Sequence, residues 1–191
     1  MARLPAMRII AGEFRGRKLL PPEGESTRPV TDRAKQSIFD ILSPRIGDAV
    51  VYDCFAGTGS FGLECLSRGS KSAVFLESDR SALDRLRENI RLLSVADCSI
   101  VIPTNIFHWI KSAPAPADKA DLIFLDPPYP TTQNHPKELA DLAGHLVKSH
   151  LSPTGLVIFR HHIENLLDLP GLVVENERTF GAMRVEFLSR A

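Results

Sequence analysis

The sequence predicts an α/β protein whose mostly parallel sheet is covered by helices on both faces. Three observations predict it. From Ala49 onward, short apolar runs alternate with stretches of helical spacing. A glycine-rich turn, Gly57-Thr58-Gly59 with Gly62 behind it, directly follows the first run. A second stiff turn, Asp126-Pro127-Pro128-Tyr129, directly follows the fourth core strand. Sheets of this kind bind ligands beyond the carboxyl ends of their strands, at the point where the strand order reverses.

Ahead of that core, residues 7–20 combine β-branched residues with spaced glycines, which suggests a short hairpin studded with cations. Residues 21–29 form a turn-rich linker. Thr31 is placed to cap a helix whose Ala34, Ile38, Ile41 and Leu42 share one face. Residues 49–52 then read as a buried strand, and the helix after the glycines ends near Gly69. The next strand covers 72–76, and Leu83, Leu86, Ile90 and Leu93 recur at helical spacing. Strands at 99–102 and 122–125 flank a short helix at 105–111. Pro136 opens a helix with Leu139, Leu142, Ala143 and Leu146 on its apolar face, and 156–159 is a fifth strand. Residues 172–174 and 183–187 read as a closing pair of strands.

The 191 residues are 43% hydrophobic and 24% charged, which suits one globular domain with a small appendage and argues against disorder. A chain of this length buries roughly 70% of its unfolded surface, so its core requires neither disulfides nor metals. Cys54, Cys65 and Cys98 form no Cys-x-x-Cys, and the six histidines form no His-Glu-x-x-His, so no metal is expected. No apolar run approaches the ~20 residues of a membrane span, and no signal peptide is legible. A soluble, cytoplasmic protein with no membrane partner is expected.

Zero net charge hides an asymmetry. Residues 1–47 carry nine Lys/Arg against five Asp/Glu, and residues 48–191 carry fourteen against eighteen. The division this suggests is a basic appendage at 1–47 and a ligand-binding domain at 48–191. A basic segment ahead of an acidic body is compatible with a polyanionic partner, or simply with a solvated loop.

In Asp53-Cys54-Phe55-Ala56-Gly57-Thr58-Gly59, the glycines permit a tight turn and a close backbone approach by a ligand. Glu77, at the end of the second strand, is placed to accept both hydroxyls of a ribose. Glycines plus an acid also describe a nicotinamide dinucleotide site. Asp53 favours a different ligand, because a carboxylate beside the loop repels a pyrophosphate and suits an ammonium or sulfonium. S-adenosylmethionine has both of those groups, a ribose and no phosphate.

In the second turn the prolines fix φ, so the Asp126 carboxylate and the Pro127 carbonyl are held in place. Both can accept hydrogen bonds from a planar exocyclic NH₂ and aim its lone pair at a methyl group. Pro128 stiffens the turn further, and Tyr129 offers a face on which a splayed-out base stacks, worth about 1–3 kcal/mol.

On these residues the chain resembles the bacterial 16S rRNA guanine-N2 methyltransferases, a branch of the class I S-adenosylmethionine-dependent enzymes. The likeness runs from Arg8 to about Glu186, and its most specific piece is the head. That piece comprises Arg8-Ile9-Ile10-Ala11-Gly12, Arg15-Gly16-Arg17-Lys18-Leu19 and Arg28-Pro29-Val30-Thr31-Asp32-Arg33. The resemblance implies a Rossmann-like, seven-stranded sheet with the last strand antiparallel, and an RNA-facing hairpin and helix carrying Arg8, Arg15, Arg17, Lys18, Arg28 and Arg33. It implies that Asn105, with Ile106, lies beside the donor's adenine, and that Asp126 to Tyr129 hold the target guanine. A monomer acting on 16S rRNA or on an assembling small subunit is expected. Arg160-His161-His162 departs from the family, which tends to carry an acidic residue near the end of that strand.

Rival readings remain open at this level. N6-methylation of adenine in DNA uses the same amine-binding turn, but the chain has no evident domain for reading a duplex. A nicotinamide-dependent oxidoreductase leaves Asp126 to Tyr129 unexplained. A non-catalytic RNA-binding factor needs the head but not an intact donor site.

Overall fold

The computed structural model describes residues 7–22 and 30–191. Seven strands form one sheet: β1 (Val50–Asp53), β2 (Ser72–Glu77), β3 (Ser99–Pro103), β4 (Ala120–Leu125), β5 (Leu151–His162), β6 (Leu172–Phe180) and β7 (Met183–Arg190). Their spatial order is β3-β2-β1-β4-β5-β7-β6. Strands β1 to β5 pair in parallel, and β7 is antiparallel to both β5 and β6. This is the Rossmann-like sheet with an antiparallel last strand. The order reverses between β1 and β4, so the crevice for a ligand opens at their carboxyl ends.

Among the described residues, six α-helices accompany the sheet: α1 (Asp32–Ile46), α2 (Ser60–Ser67), α3 (Arg80–Leu93), α4 (Ile106–Ser112), α5 (Tyr129–Asn134) and α6 (Pro136–Ser149). Thr31 caps α1, its hydroxyl accepting from the Ala34 amide at 3.3 Å. One face of the sheet packs against α1, α2 and α3, where the rings of Phe39, Phe61 and Phe124 stack with centroids 5.0–6.2 Å apart. The other face packs against α4 and α6 through Tyr52, Leu76, Leu142 and Phe159. Gly62 lets α2 lie close on β2, since a Cβ there would sit 2.3 Å from the Phe75 ring. Among the described residues, no helix is long and apolar enough to cross a membrane.

Three elements differ from the expectation. Strand β5 begins five residues early because Pro153 and Gly155, residue types that favour turns, are absorbed at its start. Strand β6 runs on through charged residues because it is an edge whose outer side faces water. Helix α5 is additional, with proline at its start.

The head is a tight antiparallel loop with one bridge, Arg8 to Lys18, rather than two regular strands. Its Ile9 is 0% exposed and joins the core beneath α1 and α2. Glu64 on α2, fully buried, accepts from the amides of Ile10 (2.8 Å) and Ala11 (3.0 Å) and pairs with Lys35 of α1 at 3.0 Å. Gly12 has φ +84°, and a Cβ there would lie 1.8 Å from the Ser67 carbonyl oxygen, so only glycine fits. Asn89 of α3 binds both polar backbone groups of Leu20 and the Thr58 carbonyl, tying the head's exit to the glycine-rich turn.

Candidate active site

A cavity of about 320 Å³ opens at the carboxyl ends of β1, β2 and β4. One side is built from the turn after β1. Gly59 adopts φ +89°, and a Cβ there would meet Leu86 Cδ1 at 2.5 Å, so glycine is required both for conformation and for space. The turn starts α2 immediately, and its Phe55, Ala56, Gly57 and Thr58 line the cavity.

Glu77 faces the same cavity from the end of β2. Its Oε2 accepts from the Gly57 amide at 2.7 Å, and its Oε1 from those of Ser78 (2.7 Å) and Asp79 (2.8 Å). Three charge-assisted bonds fix the carboxylate before any ligand arrives. Asn105 caps α4, accepting from the Phe107 amide at 2.9 Å, and both residues line the cavity. The Phe55 and Phe107 rings meet edge to face at 5.9 Å. Ile106 points inward, 4% exposed in the core, and touches only a smaller recess beside Glu77 and Asn105.

Asp53 lies beneath the turn and does not line the cavity. It is 1% exposed; Oδ2 accepts from the Gly62 amide at 3.0 Å, while Oδ1 is buried without a partner. Burial pushes its carboxyl up to about 7, against the pull of the Gly62 bond.

The opposite side of the cavity carries Asp126, Pro128, Thr131 and Arg160. Asp126 follows β4 directly, and Oδ1 accepts from the Nε of Arg160 on neighbouring β5. Burial pushes the Asp126 carboxyl above its usual range, and the guanidinium pulls against that rise. Pro127 is buried. Tyr129, the first residue of α5, is 41% exposed, with His162 edge-on at 6.0 Å. The Arg160 guanidinium carbon lies 5.9 Å from the Tyr129 ring centre.

The basic residues of the head divide. Arg8 pairs with Asp32 at 2.7 Å, and Arg17 donates to the Leu92 carbonyl at 3.3 Å. Arg15, Lys18 and Arg33 are exposed. Arg28 lies outside the described residues. Met7, Pro22 and Val30 close the cavity on the head's side.

A family model described as conserved hypothetical protein 95 matches residues 7–189. The chain belongs to that family. This conserved hypothetical protein 95 member is 38% identical over 123 residues to "Ribosomal RNA small subunit methyltransferase D" of Escherichia coli K12, spanning 64% of the chain and 60% of that relative. It is 35% identical over 173 residues to the Haemophilus influenzae protein of the same name, covering 89% and 84% of the two chains. Among solved structures, the Escherichia coli protein yhhF, provisionally described as a methyltransferase, superposes with TM-score 0.82 at 30% identity. That match covers 97% of this chain and 98% of the other.

Sequence reasoning passed over several cavity residues in this family member. Phe107 carried a usable signal, lying two residues beyond Asn105 just after a strand's carboxyl end. Arg160 stood out only as a departure, because its partner depends on β5 lying beside β4. Met7 and Phe61 gave none, since an apolar residue bordering a cleft reads as core.

Proposed function

We propose that this protein transfers a methyl group from S-adenosylmethionine to the exocyclic N2 amine of a guanine in 16S rRNA. One observation carries the reading. A single cavity joins a ribose-type carboxylate, Glu77, to the amine-binding turn at Asp126 and Pro128. The names of the relatives support the choice of rRNA.

The residues fit such a donor. Glu77 is an acceptor held rigidly by three amides, suited to ribose hydroxyls. Phe55, Phe107 and Asn105 offer an aromatic and polar recess for an adenine. When bound, the donor supplies a methyl group activated by a positively charged sulfur.

The chain's own residues then prepare the acceptor. The free oxygen of Asp126 and the Pro127 carbonyl accept from the NH₂ group, turning its lone pair toward the cavity. Tyr129 stacks on the base. The nitrogen becomes positively charged on methylation and sheds its proton readily, so no strong base is required.

The head supplies the RNA contacts in this proposal, through Arg8, Arg15, Arg17, Lys18, Arg28 and Arg33, and a cytoplasmic monomer acts on rRNA or an assembling subunit. Reversing Arg15, Arg17 and Lys18 together should lower RNA affinity and flatten its salt dependence by roughly one unit per lost phosphate contact. An unchanged slope would remove the head from RNA recognition. The deciding experiment incubates the protein with labelled donor and rRNA, partly assembled subunits or genomic DNA, then digests and identifies the nucleoside. N2-methylguanosine from rRNA is expected; label in N6-methyladenine from DNA would replace this reading with its rival.

A further inference from the structure

We propose that Arg160 is the positioning residue of the acceptor half, holding Asp126 as an oriented carboxylate with one oxygen engaged and the other left for the target amine. The inference rests on the methyl-transfer reading and deepens it. In the sheet, Leu125 of β4 pairs with Phe159 of β5, so Asp126 and Arg160 come next on adjacent strands at the carboxyl edge. Arg160 Nε donates to Asp126 Oδ1, and the two side chains are only 13% and 14% exposed. The same guanidinium reaches Met183 Sδ at 3.6 Å through Nη1 and stands over the Tyr129 ring. One side chain therefore touches both residues expected to meet the base.

Charge gives the contact its purpose. The titratable neighbours of the motif are Asp53 at the end of β1, Glu77 at the end of β2, Tyr129 on α5 and His162 on β5. Burial favours a neutral Asp126, and the charge of Asp126 in turn helps to raise the carboxyl of Asp53. Arg160 is the cation that opposes the effect of burial on Asp126. A protonated Asp126 turns a hydrogen toward the target NH₂, donor against donor, and cannot orient it. Arginine suits the task because its planar guanidinium holds one carboxylate oxygen through Nε while Nη1 is engaged by Met183, which fixes the direction of the contact as well as its charge.

The test compares wild type with Arg160→Gln and Arg160→Lys. Removing the cation should move the acid limb of the kcat–pH profile upward by about 1–3 units. Arg160→Gln should then lose activity at a higher pH than wild type does on acidification and recover it as pH rises, while S-adenosylmethionine Kd stays at the wild-type value. Arg160→Lys should keep the limb in place yet turn over more slowly, because an ammonium does not fix the direction of the contact. A uniform loss across pH in Arg160→Gln, or wild-type turnover in Arg160→Lys, overturns the proposal.

A second measurement is independent of turnover. The Asp126 carboxyl, followed by carbon NMR, should titrate at higher pH in Arg160→Gln than in wild type. Identical titrations overturn the role of Arg160. A shifted titration in a protein that methylates no nucleic acid retains that role and instead removes the proposed substrate.

Discussion

The two halves of the cavity are held by different means. On the donor side, backbone amides do the work: Gly57, Ser78 and Asp79 fix Glu77, and Asn105 is pinned by the amide of Phe107. On the acceptor side, side chains hold side chains: Arg160 engages Asp126 and leans over a substantially exposed Tyr129. Backbone groups belong to the strands and helices that present them, so the donor side is rigid as soon as the sheet forms. A guanidinium can exchange partners, and the acceptor side can therefore yield to an incoming base. A small ligand of constant shape suits the first arrangement; one nucleotide of a large RNA suits the second.

The strongest way to break this contrast lies behind the donor side, where Lys35 and Glu64 tie α1, α2 and the head together. Burial alone would raise the Glu64 carboxyl, but Lys35, Arg68 and the Ile10 amide hold it below its usual range. Lys35→Met leaves that charge buried beside one fewer partner and should cost about 3–5 kcal/mol of stability in urea unfolding. Next in size, Asp126→Ala should reduce methyl transfer roughly 10²–10³-fold. Donor affinity by calorimetry should hardly change, because Asp126 serves the acceptor. A large loss of donor binding would merge the two halves into one.

Glu77→Ala is the converse substitution. It should weaken S-adenosylmethionine binding by about 1–3 kcal/mol, the scale of lost charge-assisted hydrogen bonds. Tight NADH binding with no response to S-adenosylmethionine would end the donor assignment itself. The smallest effect sharpens the comparison most. Tyr129→Phe should retain most activity, while Tyr129→Ala should lose about 1–3 kcal/mol of base stacking in steady-state kinetics. Equal inactivity of the two would mean that the hydroxyl matters, and that the acceptor side is not built on a ring face.

What the sequence revealed follows the same division. Donor-side features are local: a strand, two glycines in a turn, an acid at the next strand's end, each legible within a few residues. The Asp126 turn was legible for the same reason. Arg160 was not, because its meaning depends on β5 lying beside β4, a fact of sheet order rather than of neighbouring residues. Helix α5 was hidden because Tyr129-Pro130-Thr131-Thr132 has little helical propensity; a hydrogen bond from Asn165 to the Thr132 hydroxyl, 33 residues away, helps fix it. Asp53 was legible as an acid before the glycines. Its burial against Gly62 depends on how α2 settles on the sheet.

The attachment of the head has a consequence for how the molecule is made. Its hydrogen bonds to Glu64, Ser67 and Asn89 join residues 53 to 69 positions apart, with the head always the earlier partner. On the ribosome it is synthesised before α2 and α3 and must wait for them. At about 5–20 residues per second, that delay is roughly 3–14 s. Through this interval Ile9 and Leu19 have no core to enter, and Met7 has no cavity to close. The wall that Met7 adds to the cavity thus comes from a segment made well before the helices that hold it, and a nascent chain cannot complete the cavity until that earlier segment has come back to meet them.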